Sequence, residues 1–154
     1  MNIRETLELE LNSLKQRIIE NHVRAGQVAS GKTMESMQVV VEELGTEYIA
    51  TLYGRPYFGN LETGNSPWKN TPQRVPRFFH DIIADWIQAK GLNLNAWAVA
   101  YKIIHEGTVL HRQGGRSDIF SNVIPDSLNI ISDALVAIYD MQITEMITLN
   151  NQQP

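Results

Sequence analysis

Residues 26–33, Gly26-Gln27-Val28-Ala29-Ser30-Gly31-Lys32-Thr33, match the phosphate-binding pattern G-x-x-x-x-G-K-[ST] letter for letter. In a working loop of this kind backbone amides cradle the phosphates, the Lys reaches the β- and γ-phosphates, and the Thr hydroxyl sits on Mg²⁺. A buried strand must deliver the loop, and a helix must begin directly after it. The preceding residues read otherwise. Ile3, Leu7, Leu11, Leu14 and Ile18 recur every three or four residues, the period of one helix face. Glu5, Glu8, Glu10, Lys15, Gln16, Arg17 and Glu20 cover the rest of the cylinder, and Gly26 is placed as a helix stop. After it, Ser30 or Thr33 can cap a short turn. The letters therefore read as stop, turn and cap, and a nucleotide-binding enzyme using Gly26–Thr33 stands as the alternative.

The other residues capable of chemistry are scattered. His22, His80, His105 and His111 fall in different elements at no spacing that a metal site prefers. Asp81 and Asp85 share a helix face in the manner of an amphipathic helix's wet side. No strand–turn–helix elbow supports a Ser/His/Asp arrangement. The sequence predicts no enzyme, no cofactor and no metal site. Two Arg/Gly loops and a Trp could touch a phosphate backbone in passing, but no helix is basic enough to read a groove.

These residues need a body to position them. At 154 residues, 43% hydrophobic and 19% charged, the chain reads as one domain over 1–154 with a real core. It holds no cysteine, which removes disulfides and thiolate zinc sites. No apolar run reaches membrane-spanning length, and the N-terminus lacks the basic start of a secretory signal. The expectation is a soluble protein without an address label. Its net charge of −4 is uneven. Residues 54–77 set Arg55, Lys69, Arg74 and Arg77 against Glu62 alone, whereas 119–154 hold Asp126, Asp133, Asp140 and Glu145 with no Lys or Arg. Opposite surfaces of this kind can meet between copies and set their register.

Along the chain, an N-terminal helix over 1–25 is followed by a β-hairpin, Gln38–Glu42 and Glu47–Tyr53, broken at Leu44-Gly45-Thr46. A two-stranded ribbon is marginal alone and needs a helix on one face, a further strand, or a neighbour's strand. Residues 54–77 carry so many Gly and Pro that no regular element is expected there. In this long basic loop Tyr57, Phe58 and Leu61 should anchor inward, and Trp68 should reach out with its basic neighbours, a common interface composition. Phe78 to Lys90 reads as a helix stopped at Gly91, and Asn93 or Asn95 caps the next, with Trp97, Ala100, Tyr101 and Ile104 as its core stripe. Residues 108–118 suggest a short strand and an extended loop. Pro125-Asp126 open a long C-terminal helix over 126–149, about 36 Å at ~1.5 Å per residue. Leu128, Ile131, Leu135 and Ile138 form its stripe, which Tyr139, Ile143, Met146 and Ile147 widen, as in a helix that packs against a neighbour. The fold class is α+β: an N-terminal helix, a β-hairpin or small antiparallel sheet packed on helices, and a long C-terminal helix.

Several phrases in order carry a resemblance. They are Ala29-Ser30-Gly31-Lys32-Thr33-Met34-Glu35-Ser36-Met37, Tyr57-Phe58-Gly59-Asn60-Leu61-Glu62-Thr63-Gly64, and Trp86-Ile87-Gln88-Ala89-Lys90-Gly91. Ala100-Tyr101-Lys102-Ile103-Ile104-His105-Glu106-Gly107-Thr108 follows, then Arg112-Gln113-Gly114-Gly115-Arg116 before Asp118-Ile119-Phe120-Ser121. Over roughly residues 25–125 the chain resembles the small neck or tail-completion (head-to-tail joining, minor tail) proteins of tailed bacteriophages. The resemblance implies an α+β fold without catalytic residues, in a homo-oligomeric ring at the head–tail junction of the virion, made in the host bacterial cytoplasm. It implies contacts with other neck, portal-side or tail proteins, incidental contact with DNA in the channel, and no membrane. Two loops would carry those contacts: Arg55, Trp68, Lys69, Arg74 and Arg77 in one, and Arg112, Gly114, Gly115 and Arg116 in the other. The long acidic C-terminal helix departs from the family pattern. A plain interaction or adaptor domain unconnected with phage is the remaining alternative.

Overall fold

The structure, a computed structural model, describes residues 2–151. Helix α1 (Ile3–Arg24) starts in a capping box: Asn2 Oδ1 accepts from the Glu5 amide at 2.8 Å, and the Glu5 carboxylate accepts from the Asn2 amide at 3.1 Å. It buries Leu7, Leu11, Leu14 and Ile18, the face anticipated from their spacing. The helix closes in a Schellman motif, with Gly26 at φ +69° and the Gln27 and Gly26 amides donating to His22 and Val23 carbonyls. A single helical turn, α2 (Lys32–Glu35), follows; its cap is Gly31 at φ +81°, not Ser30 or Thr33.

Strands β1 (Gln38–Leu44) and β2 (Glu47–Tyr53) pair antiparallel, Gln38 opposite Tyr53 and Leu44 opposite Glu47. Of the three supports open to such a ribbon, the chain supplies the helix: the hairpin's inner face lies on α1. Val41 on that face is buried, and Met37 and Leu52 join the main core with Leu14, Ile18, Ile119 and Val123. The outer face leaves Val40, Leu44, Ile49 and Tyr53 in solvent beside Glu42 and Glu47.

Residues 54–77 are not free of regular structure. One helical turn, α3 (Asn60–Thr63), forms between Gly59 and Gly64. Helices α4 (Arg77–Ala89) and α5 (Ala96–Glu106) pack on each other through Ile83, Ile87 and Ala100, a second and smaller core. Asn95 caps α5 and Gly91, at φ +65°, follows α4. The core face of α5 is Ala100 with Ile104, both fully buried; Trp97 and Tyr101 stay outside, a correction to the expected stripe. Each instead stacks on a histidine, Trp97 on His80 at 3.9 Å and Tyr101 on His105 at 4.0 Å between ring centroids.

Residues 108–118 hold a helical turn, α6 (Val109–Arg112), where a strand was expected, because the Thr108 hydroxyl caps it. The last helix is α7 (Ile124–Asn150). Arg17 reaches Ser127 Oγ at 2.9 Å and Asp126 at 3.8 Å, while Asn21, one turn further along α1, donates to the Ile119 carbonyl ahead of α7 at 3.0 Å. The contacts run in opposite order along the two helices, so α1 and α7 are antiparallel. Among the described residues no helix is long and apolar enough to cross a membrane.

Candidate functional site

The two loops singled out by the sequence cross at one point, and a carboxylate holds the crossing. Glu62, on α3, is 4% exposed. Its Oε1 accepts the amides of Ile119, Phe120 and Ser121 at 3.0, 2.8 and 2.9 Å, and Ser121 Oγ donates to Oε2. These amides lie in the turn three to five residues before the last helix, so a side chain from a distant segment satisfies donors that the turn leaves without backbone partners. Burial works to raise the Glu62 pKa, but the Ser121 hydroxyl and the three amides outweigh it and hold the carboxyl below its ordinary 4.5.

The backbone around Glu62 is equally committed. Its carbonyl accepts the Arg116 amide at 2.7 Å, and a Cβ on Gly115 (φ +80°) would stand 2.7 Å from that same oxygen. Asn65 and Thr108 exchange two bonds, Thr108 N to Asn65 O at 2.9 Å and Asn65 N to Thr108 Oγ1 at 3.0 Å. At Gly64 (φ +68°) a Cβ would lie 2.5 Å from the His111 amide nitrogen. Only glycine lets the strands of this crossing approach so closely. Glu62 escaped the sequence reading, where it was simply the lone acid of a basic stretch. Its isolation among cations, inside a phrase rich in glycine, was the signal that could have found it.

The residues expected to form contacts are dispersed. Arg55 is exposed and lines a cavity of about 370 Å³ with His22, Lys32, Asp85 and Trp86. Arg74 is exposed in a shallow groove beside Trp97 and Tyr101, and Lys69 is exposed and lines neither. Arg77 pairs with Asp81 at 3.1 Å; the His80 hydrogen bond, then Arg77, hold the Asp81 carboxyl below its usual range. Arg112 pairs with Glu106 at 2.6 Å, and Arg116 grips Asp118 at 2.6 and 2.8 Å. Gly114 is open, with nothing near its missing Cβ.

The aromatics exchange places relative to expectation. Trp68 does not reach out: its amide donates to Ile104 O at 2.9 Å, and its ring lies 5.0 Å from Phe79 and 6.4 Å from Phe78. Tyr57, expected inside, is 84% exposed at φ +67°. Phe58 and Leu61 do turn inward, onto the core. The cause is local: the turn into α3 aims consecutive residues to opposite sides, and the Ile104 bond pulls Trp68 onto α4.

Gly26–Thr33 emerges from a helix end, with no strand before it and four helical residues after Gly31. Among the described residues no three His, Asp or Glu side chains converge as metal ligands. Against protein-family models, curated proteins and solved structures alike, the chain finds no match.

Proposed function

We propose that this chain is a structural subunit of a tailed-phage virion, one copy in an oligomeric ring at the neck or head–tail junction, acting through assembly. The observation that carries the assembly reading is the amount of large apolar surface left without a partner. The outer hairpin face, the outer side of α4 and α5, and most of α7 keep side chains such as Ile49, Phe78, Ile82 and Met146 in water. Apolar faces of this extent mark sites of association. The phage assignment rests on the resemblance. In its favour, three of the phrases that carry it, Tyr57–Gly64, Arg112–Arg116 and Asp118–Ser121, meet at the Glu62 crossing.

In this reading the partners are further copies of the chain and the neck, portal-side or tail proteins above and below the ring. Arg55, Lys69 and Arg74 remain available for those contacts or for DNA passing through the channel. The nucleotide-binding alternative has one observation on its side, the cavity beside Lys32 and Arg55, but not the strand that would aim the loop.

The test is removal of the gene from its phage, with particles counted by electron microscopy. Separate heads and tails are expected, and restoration by the wild-type chain supplied in trans. Normal numbers of joined particles without the protein would end the proposal. Native mass spectrometry with Mg-ATP addresses the alternative: nucleotide adducts lost in Lys32→Ala would put the enzyme in its place.

A further inference from the structure

Helix α7 carries two apolar stripes on different sides. One, formed by Ile124, Ile131, Leu135 and Ile138 around Ser127, is buried or half-buried against the body. The other is Val136, Tyr139, Ile143, Met146 and Ile147, spaced by three and four residues and all at least half exposed. Asp133 and Asp140 border this second stripe one heptad apart, and no Lys or Arg occurs anywhere in α7.

The helix also outruns its support. With Arg17 at Ser127 and equal rise in both antiparallel helices, Asn2 falls opposite about residue 142. Ile143–Asn150 thus project past the start of α1, and every one of them is exposed.

Three other apolar surfaces of the chain bear on such a stripe: the groove of Arg74, Trp97 and Tyr101 is shallow, and charge separates the other two. The outer hairpin face bears Glu42 and Glu47, which repel an acid-bordered helix. The groove between α4, α5 and α6, about 610 Å³, is lined by Ile82, Trp86, Leu94 and Val109 and edged by Lys102 and Arg112, which share the single carboxylate of Glu106 and so leave the edge one positive charge in excess. Self-pairing of two α7 stripes would gather acids with no base among them. The groove is the complementary surface.

The groove lies at the other end of the molecule. Lys90 Nζ on the Gly26 carbonyl ties the end of α4 to the C-terminal end of α1, whereas the projecting part of α7 passes α1's N-terminal end. The 22 residues of α1 separate those ends by about 33 Å at ~1.5 Å per residue. One chain cannot fill its own groove.

We propose that Ile143, Met146 and Ile147 of one copy dock in the α4–α5–α6 groove of the next, with Asp140 facing Lys102. Unlike surfaces at opposite ends make a head-to-tail contact, which closes into a ring when the rotation permits. This rests on the assembly reading above and names its contact.

The experiment is native mass spectrometry of the full chain at high micromolar concentration, with Ile147→Asp in the projection and Val109→Asp or Leu94→Asp in the groove. All three sites are exposed, and circular dichroism checks that each variant folds. Expected is an oligomer of three or more wild-type chains and monomers of each variant alone. A mixture of projection and groove variants retains one intact contact, so it should yield dimers and nothing larger. An oligomer that persists in both variants overturns this contact while leaving the ring intact. A monomeric or dimeric wild type also overturns it, and the particle count then judges the ring by itself.

Discussion

The Glu62 crossing, which joins residues 62–65 to 108–121, and the C-terminal half of α7 are satisfied in opposite ways. At the crossing every amide that faces Glu62 has an acceptor, two glycines stand where a methyl would collide, and Ile119 beside it is fully buried. Along residues 139–150 backbone bonds close within the helix but every apolar side chain is half or more exposed. The first region is complete within one chain; the second has the apolar pattern of an interface and no interface. Stability should therefore be concentrated at the crossing, and assembly at α7.

The sharpest way to break the first half of that comparison is Gly64→Ala. The added Cβ meets the His111 amide nitrogen at 2.5 Å and φ is +68°, so about 4 kcal/mol should be lost. Thermal unfolding should fall by roughly 10 °C for a chain of this size; an unchanged midpoint would show that the crossing is loose.

Next comes Glu62→Gln, which keeps the shape but replaces the charged acceptor of the three turn amides. A loss near 3 kcal/mol is expected from its charge-assisted bonds. It also carries a pH signature. The folded pKa lies below 4.5, so the stabilisation is whole above 4.5 and drains away as pH drops through the lowered value. Asp81 and Asp118, held below 3.8 chiefly by hydrogen bonds to His80 and Arg116, act in the same direction. Urea titrations between pH 6 and pH 3 should show a shallower acid slope in the variant than in the wild type; parallel slopes would assign the acid sensitivity elsewhere.

Trp68→Ala falls between the regions. Because the ring is packed on Phe78 and Phe79, about 2 kcal/mol should go, seen as a midpoint lower by roughly 5 °C. An unaffected fold with impaired particles would return Trp68 to the contact loop. Smallest of all is Lys32→Ala. This exposed side chain should change stability by less than about 0.5 kcal/mol and leave particle yield unaltered.

Periodicity announced α1, the hairpin, the α4–α5 pair and α7, because an apolar residue every third or fourth place declares a helix face and β-branched runs declare a strand. Stops and caps at Gly26, Asn95 and Gly91 were equally local. The shorter turns were not: around α3 and α6, Gly64 and Thr108 meet partners from elsewhere in the chain, and composition alone made both segments look irregular.

Within the candidate site, the residue types in the two loops were legible, their grouping was not. Arg77 and Arg116 are taken up by carboxylates four and two residues on, and Arg112 by Glu106 across the turn at Gly107, a pairing that sequence order does not reveal. Which face of α5 is core also escaped, since Ala100 and Ile104 share the helical period with Trp97 and Tyr101.

The sequence by itself determined the helices, the hairpin and their ends, since these depend on neighbours within about four residues. Tertiary structure alone decided that Glu62 is buried, that Trp68 turns inward, and that α7 outreaches α1. Burial and overhang are properties of segments distant in sequence, 36 residues from Trp68 to Ile104, 57 from Glu62 to Ile119 and 110 from Arg17 to Ser127, and no local pattern encodes which of two apolar stripes will find a partner.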